Sequence, residues 1–219
     1  MELAASGSGE EAASASVRLV LALTALSLLP GLLLAMTPFT RFIIVFSLLR
    51  QALGLQQSPP NQVLIGLSLA LTLLVMQPTV DEVWANAAEP YMAGELATEE
   101  AYTQAITPLR EFMLSNVARQ DLATAMRLAN MPRPGSLEEV GTPVVVTGFV
   151  LSELRTAFTI AVKVYLPFLV VDLVVASVLL GMGMMMLPPV VVSLPFKLLV
   201  FVLMDGWGLL VTGLVGGIQ

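Results

Sequence analysis

The sequence predicts an all-α membrane protein made of broken helical hairpins that sits among other subunits. Three observations carry this. Of its 219 residues, 57% are hydrophobic and only 12% charged, against about 45–50% and 25% in soluble domains. Aromatic residues are just 6%, and the mean hydropathy is +0.87, so the apolar excess is aliphatic side chains and methionine. The apolar runs are short, interrupted by proline and charged in places, which a helix facing lipid on every side does not tolerate.

Composition also excludes. The chain has no Cys and no His, which removes disulfides, thiolate nucleophiles, the usual proton shuttle and the commonest metal ligand. No cofactor or metal site is expected, and the chain is not expected to be an enzyme. Its net charge is −6, and residues 81–140 supply all of it with ten acids against four arginines. The flanking blocks are balanced. No basic stripe exists to neutralise phosphates, so nucleic acid is not an expected partner.

Taken in order, residues 1–16 are small, polar and acidic and read as a disordered tail. The first 17 residues contain no Lys or Arg, so no basic n-region precedes the first apolar run. Either a signal has already been removed, or residues 17–36 form a non-cleaved first span. Within 17–80 the apolar runs are 19–36, broken at Pro30-Gly31, then 42–49, then 63–76, with a turn around Pro59-Pro60 between the last two. Pro78 and Asp81 are expected to close the third run. Residues 81–142 should form an acidic, mainly helical extramembrane region, with Pro108 near a helix start. There Leu109, Phe112, Met113, Val117 and Leu128 are spaced for one apolar face. Residues 143–219 read as a C-terminal apolar hairpin whose tip is the punctuated stretch 181–189.

Lys163, Asp172 and Lys197 lie inside these last apolar runs. Each alone at the centre of a lipid-exposed helix costs about 2.5–3.5 kcal/mol, so they are expected to face protein and to pair. Placing Met184 at the tip sets Asp172 and Lys197 at about the same depth, which predicts a carboxylate partner for Lys197: Asp172, or Glu153 of a neighbouring copy. Arg41 and Arg50 lie between the first and third runs, which puts that connection on the cytoplasmic side and the acidic region outside. Four of the twelve methionines, Met182, Met184, Met185 and Met186, crowd into five residues beside Gly181 and Gly183 and before Pro188-Pro189. Unbranched, polarizable side chains repack around varied partners, so several copies around a pore would make a deformable closure. A copper path is the rival reading, weakened by the missing Cys and His.

Several stretches in order resemble a known family: TPFTRFIIVFSLLRQALG (37–54), QQSPPNQVLIG (56–66), FVLSELRTAF (149–158), LPFLVVD (166–172), GMMMLPP (183–189) and LPFKLLVFVLMDGW (194–207). The sequence resembles the FliP proteins of the flagellar type III export gate, whose virulence-system relatives are called SctR. Thr40-Arg41 and Arg50-Gln51 resemble the flagellar branch. The resemblance implies a helical subunit that assembles with further copies of itself, with FliQ and FliR and with other export-apparatus proteins in the bacterial inner membrane and flagellar basal body. It implies unfolded flagellar proteins passing through a central channel; the broken, charged spans leave only part of the apolar surface touching lipid, and the arginine bias places 81–142 on the periplasmic side. Met182, Met184, Met185 and Met186 match the family's methionine gasket. Arg41, Arg50, Pro59, Pro60, Asn61 and Asp205 match motif positions with structural roles. The competing classes are the equivalent subunit of a virulence secretion system, a small-solute or ion transporter suggested by the intramembrane charges, and an intramembrane enzyme, for which Ser152, Glu153 and Ser193 are better read as helix-packing residues.

Overall fold

The computed structural model describes residues 3–132, 134–184 and 186–218, with side chains from Ser16 onward except Ala25. It is all-α, and it divides into two units, residues 1–35 and 36–219. The first unit is a single helix, α1 (Leu3–Ala35). It continues through Pro30 and back to Leu3, over residues expected as a disordered tail. The run 19–50 therefore holds two helices separated at residues 36–38.

In the second unit the central element is α2 (Phe39–Ala52). Phe42, Val45, Phe46 and Leu49 recur at the helical period and are all buried. They meet Leu64 and Leu71 of α3 (Asn61–Val83), Ala157 and Phe168 of α7 (Thr142–Gly181), Phe201 of α8 (Pro189–Leu203), and Leu210 and Leu214 of α9 (Gly206–Val215). Phe168 and Phe201 stand 6.3 Å apart between ring centroids, and Phe201 meets Trp207 edge-on at 5.6 Å. Ser68 and Thr72 are buried in α3 without cost, because each hydroxyl donates back to its own helix at 2.7 Å.

Pro78 does not close the third run. The helix continues through it into a π-helical turn (Trp84–Ala88) and α4 (Glu89–Met92), 32 residues in all from Asn61. Losing one ladder hydrogen bond at Pro78 is outweighed by packing on both sides of it, where Met76 and Ala87 are buried. Pro108 likewise sits inside a helix, α5 (Thr98–Asn116), rather than at its start. Glu99 and Glu100 occupy the first turn of that helix, where the macrodipole favours negative charge.

Helical structure breaks at Val117 and Ala118, both extended, before α6 (Arg119–Leu128). Of the expected apolar face, Phe112 and Met113 are buried, Leu109 and Val117 half-buried, and Leu128 exposed. The break at 117–118 resets the helical phase and turns Leu128 out. Phe112, Met113 and Leu122 build a second core with Met36, Met76, Val140, Val145 and Phe149. Gly148 lets α6 and α7 touch: a Cβ there would stand 3.0 Å from the Leu122 Cα.

The C-terminal apolar block is less broken than its prolines suggest. α7 runs 40 residues straight through Pro167, and α8 runs through Pro195. The helix stop at the tip is Gly183, with φ +75°. The Gly183 N–H donates to the Leu180 carbonyl and the Met184 N–H to the Leu179 carbonyl, a Schellman cap that needs a left-handed residue. Pro188 and Pro189 act on the other side of the tip, where they begin α8. α8 and α9 meet at a 62° bend, with Asp205 at φ +48° in the elbow.

Candidate functional site: buried ion pairs and a methionine tip

Arg41 projects from the buried face of α2, one turn before Val45. Its Nε donates to Glu153 Oε2 at 2.9 Å, its Nη2 donates to Glu153 Oε1, and its Nη1 donates to the Gly217 carbonyl at 3.2 Å. Arg41 is 3% exposed and Glu153 1%. A planar guanidinium matched to both carboxylate oxygens is the geometry that makes a buried pair tolerable. It ties α2, α7 and the C-terminal segment together at one point. Glu153 is thus engaged within the chain by Arg41 rather than by a lysine. Because Arg41 is buried, it also drops out of any count of basic residues at a membrane surface.

Lys197 on α8 donates to Asp172 Oδ2 of α7 at 2.6 Å and to the Ala52 carbonyl at the end of α2 at 3.0 Å. Ser193, one turn earlier on α8, donates to the other oxygen of Asp172. The ammonium is buried while Asp172 is partly open. Three helices are thereby joined around one cation. The third pair is less enclosed: Arg155 Nη2 donates to Asp121 Oδ1 at 2.6 Å, with Asp121 buried and Arg155 half exposed. Asp121 Oδ2 is buried without a hydrogen-bond partner among the described residues. Beside it, Ser152 accepts from the Ala118 N–H at 3.0 Å, satisfying the donor freed where α5 ends.

Of the motif residues, Arg50 donates to the Pro59 carbonyl at 3.1 Å and to Asn61 Oδ1 at 2.7 Å. The guanidinium at the end of α2 so holds the start of α3, whose helix begins after Pro60. Sequence reasoning missed three things. One is the Arg41–Glu153 pair. Another is Arg155–Asp121. The last is Arg110, which donates to Thr142 Oγ1 at 2.9 Å and to the Val140 carbonyl at 2.8 Å. For Arg41 a signal existed, since a charge at position 41 lies on the same helical stripe as Val45 and Leu49.

At the tip, Met182, Met184 and Met186 are exposed, Met186 almost completely at 97%. Met185 lies outside the described residues. Lys163 is exposed on α7, surrounded along its face by apolar side chains.

Among the described residues, three helices can cross a membrane by length and composition: 16–35, 61–92 and 142–181. The bent pair of α8 and α9 is a candidate fourth span. Membrane-length helices, with arginine and lysine neutralised inside the bundle, define a class: a helical membrane protein. The FliP family model matches residues 22–214. The flagellar biosynthetic protein FliP of Bacillus subtilis (strain 168) is 50% identical over 210 residues, 96% of this chain and 95% of that protein. Those of Aquifex aeolicus (strain VF5) and Pectobacterium carotovorum subsp. carotovorum are 46% and 50% identical, over 93% and 94% of this chain and 86% and 80% of theirs. The chain belongs to the FliP family.

Proposed function

We propose that the chain is a non-enzymatic, pore-forming subunit of the flagellar type III protein-export gate, in the bacterial inner membrane at the flagellar basal body. It assembles with further copies of itself and with FliQ and FliR, and passes unfolded flagellar proteins through a central channel. Family membership and the relatives' names support the flagellar setting. The length of α7 supports a body that extends beyond the bilayer. Its 40 residues span about 60 Å at 1.5 Å each, twice the roughly 30 Å hydrocarbon core. The region 81–142 is placed on the periplasmic side, in keeping with its acidic, solvated helices. A cysteine introduced at Glu99, in a chain with no other, is expected to react with a membrane-impermeant reagent from the periplasmic face only.

The observation that carries the pore reading is the tip. A capped, chargeless turn leaves Met182, Met184 and Met186 exposed, Met186 almost completely. A ring of such turns from several copies disfavours water and ions in a narrow neck. Flexible thioether side chains let it widen around a passing chain and recover. Met184, Met185 and Met186 all changed to Ala are expected to raise the ion conductance of membranes holding the resting complex. An assembled triple variant that conducts no more than wild type would make these methionines packing residues and end the gasket reading.

A further inference from the structure

Among the described residues, two charges of opposite sign in the C-terminal hairpin are left without partners. Lys163 on α7 and Asp205 at the α8–α9 elbow are both exposed. Neither side chain makes an ion pair or a hydrogen bond among the described residues, whereas Asp172 and Lys197, in the same two arms, are joined.

The register of that joined pair fixes where the other two lie. α7 and α8 run antiparallel, linked by Asp172–Lys197 and by the Phe168–Phe201 ring contact. Lys163 is nine residues back along α7 from Asp172, and Asp205 is eight residues forward from Lys197. At 1.5 Å per residue both displacements are about 12–14 Å in the same direction. The two charges therefore sit at one depth. The cavity of about 340 Å³ between the arms says the same, since Val164 and Met204 both line it.

They do not meet within the chain because nine residues of helix turn through about 180° relative to Asp172. Asp172 faces α8, so Lys163 faces away from it. Its neighbours on that outer stripe are Leu166 and Val170, both more than half exposed. Lipid accommodates such side chains but not a lone ammonium. Around Asp205 the elbow displays Val202, Leu203 and Met204, also exposed. Each patch is thus an apolar surface with one charge, and the charges are complementary.

We propose that Lys163 of one copy pairs with Asp205 of the next, the outer face of α7 docking against the neighbour's α8–α9 elbow. Equal depth means that a rotation about an axis parallel to the hairpin brings the two together with little shift along it. Different patches on the two sides make the contact head-to-tail, so it repeats from copy to copy. A closed ring pairs every charge, and an open helical arrangement leaves one Lys163 and one Asp205 at its ends for other subunits. This rests on the reading that copies of the chain assemble in an export gate.

The test uses the full chain, which has no native cysteine. Lys163→Cys in a copy with one tag is co-expressed with Asp205→Cys in a copy with another tag, and the complex is treated with a short bis-maleimide, which spans the gap that a lysine side chain fills and a disulfide cannot. A cross-linked dimer carrying both tags is expected. In parallel, Lys163→Glu or Asp205→Lys alone should lower recovery of the multi-copy particle several-fold, and the two together in one chain should restore it. An intact particle that gives no mixed-tag dimer overturns the pairing while leaving the export-gate reading in place. So does cross-linking of Lys163→Cys to a different protein, or single reversals that leave recovery unchanged. Absence of any multi-copy particle for the unmodified chain overturns both.

Discussion

Along α7, the residues on either side of Ala157 live in different surroundings. Upstream, Val145, Gly148, Phe149, Ser152 and Glu153 are all buried by α2, α5 and α6. Their polar groups find partners in the same chain, Glu153 with Arg41 and Ser152 with Ala118. Downstream, Phe158, Val162, Leu166, Leu173 and Val178 are each more than half exposed, and a lysine stands among them. One continuous helix therefore has an upstream half packed by its own chain and a downstream half whose outer face is open, while Ala161, Phe168 and Leu179 on its inner face stay buried. Exposed aliphatic surface alone does not say whether lipid or protein covers it. Lys163 is the residue that favours protein, because a lone charge in hydrocarbon costs about 2.5–3.5 kcal/mol.

The comparison breaks most readily at its closed half. Glu153→Ala leaves the Arg41 guanidinium buried and uncompensated, which costs about 3–5 kcal/mol and is read as a lowered denaturation midpoint of the detergent-solubilised protein. Arg41→Met combined with Glu153→Leu should recover most of that loss, because an apolar pair of similar volume carries no desolvation penalty. A single variant as stable as wild type would show that the pair does not hold α2 to α7.

Gly148→Ala comes next. The new methyl meets the Leu122 backbone rather than a movable side-chain end, so about 1–3 kcal/mol of overpacking is expected, with faster amide exchange in α6. The same change at Gly181, where no atom lies within 4 Å, should cost nothing and gives the internal control. Equal effects at the two glycines would contradict the close approach of α6 to α7.

At the tip, Gly183→Ala places a side chain at a positive φ and costs about 1 kcal/mol. It should be visible as fraying of the last turn of α7 with little change at Phe149. Smallest is Leu173→Ala, on the open half, which should move the stability of the dissociated chain by less than about 0.5 kcal/mol. A larger effect there would mean that the downstream face is already covered within one chain.

Fold class and the membrane setting were legible because composition and charge segregation do not depend on tertiary contacts. The prolines misled. Pro78 and Pro108 looked like boundaries, yet each sits inside a helix whose flanking residues pack well enough to outweigh a lost hydrogen bond. Gly183 rather than Pro188 stops α7, since a cap depends on φ and carbonyl geometry that a dipeptide signal does not show. Charge partners were only partly legible. The hairpin register placed Asp172 and Lys197 at one depth, but Arg41 and Glu153 are separated by 112 residues, and no local pattern brings them together.

Native mass spectrometry of the purified full-length protein tests most directly the claim that the downstream half of α7 is completed by other subunits. The account predicts a particle containing several copies of this chain, with any copurifying subunits in fixed ratio, that survives removal of detergent in the gas phase. A spectrum of single chains only, from protein that is folded and extracted under gentle conditions, would contradict it.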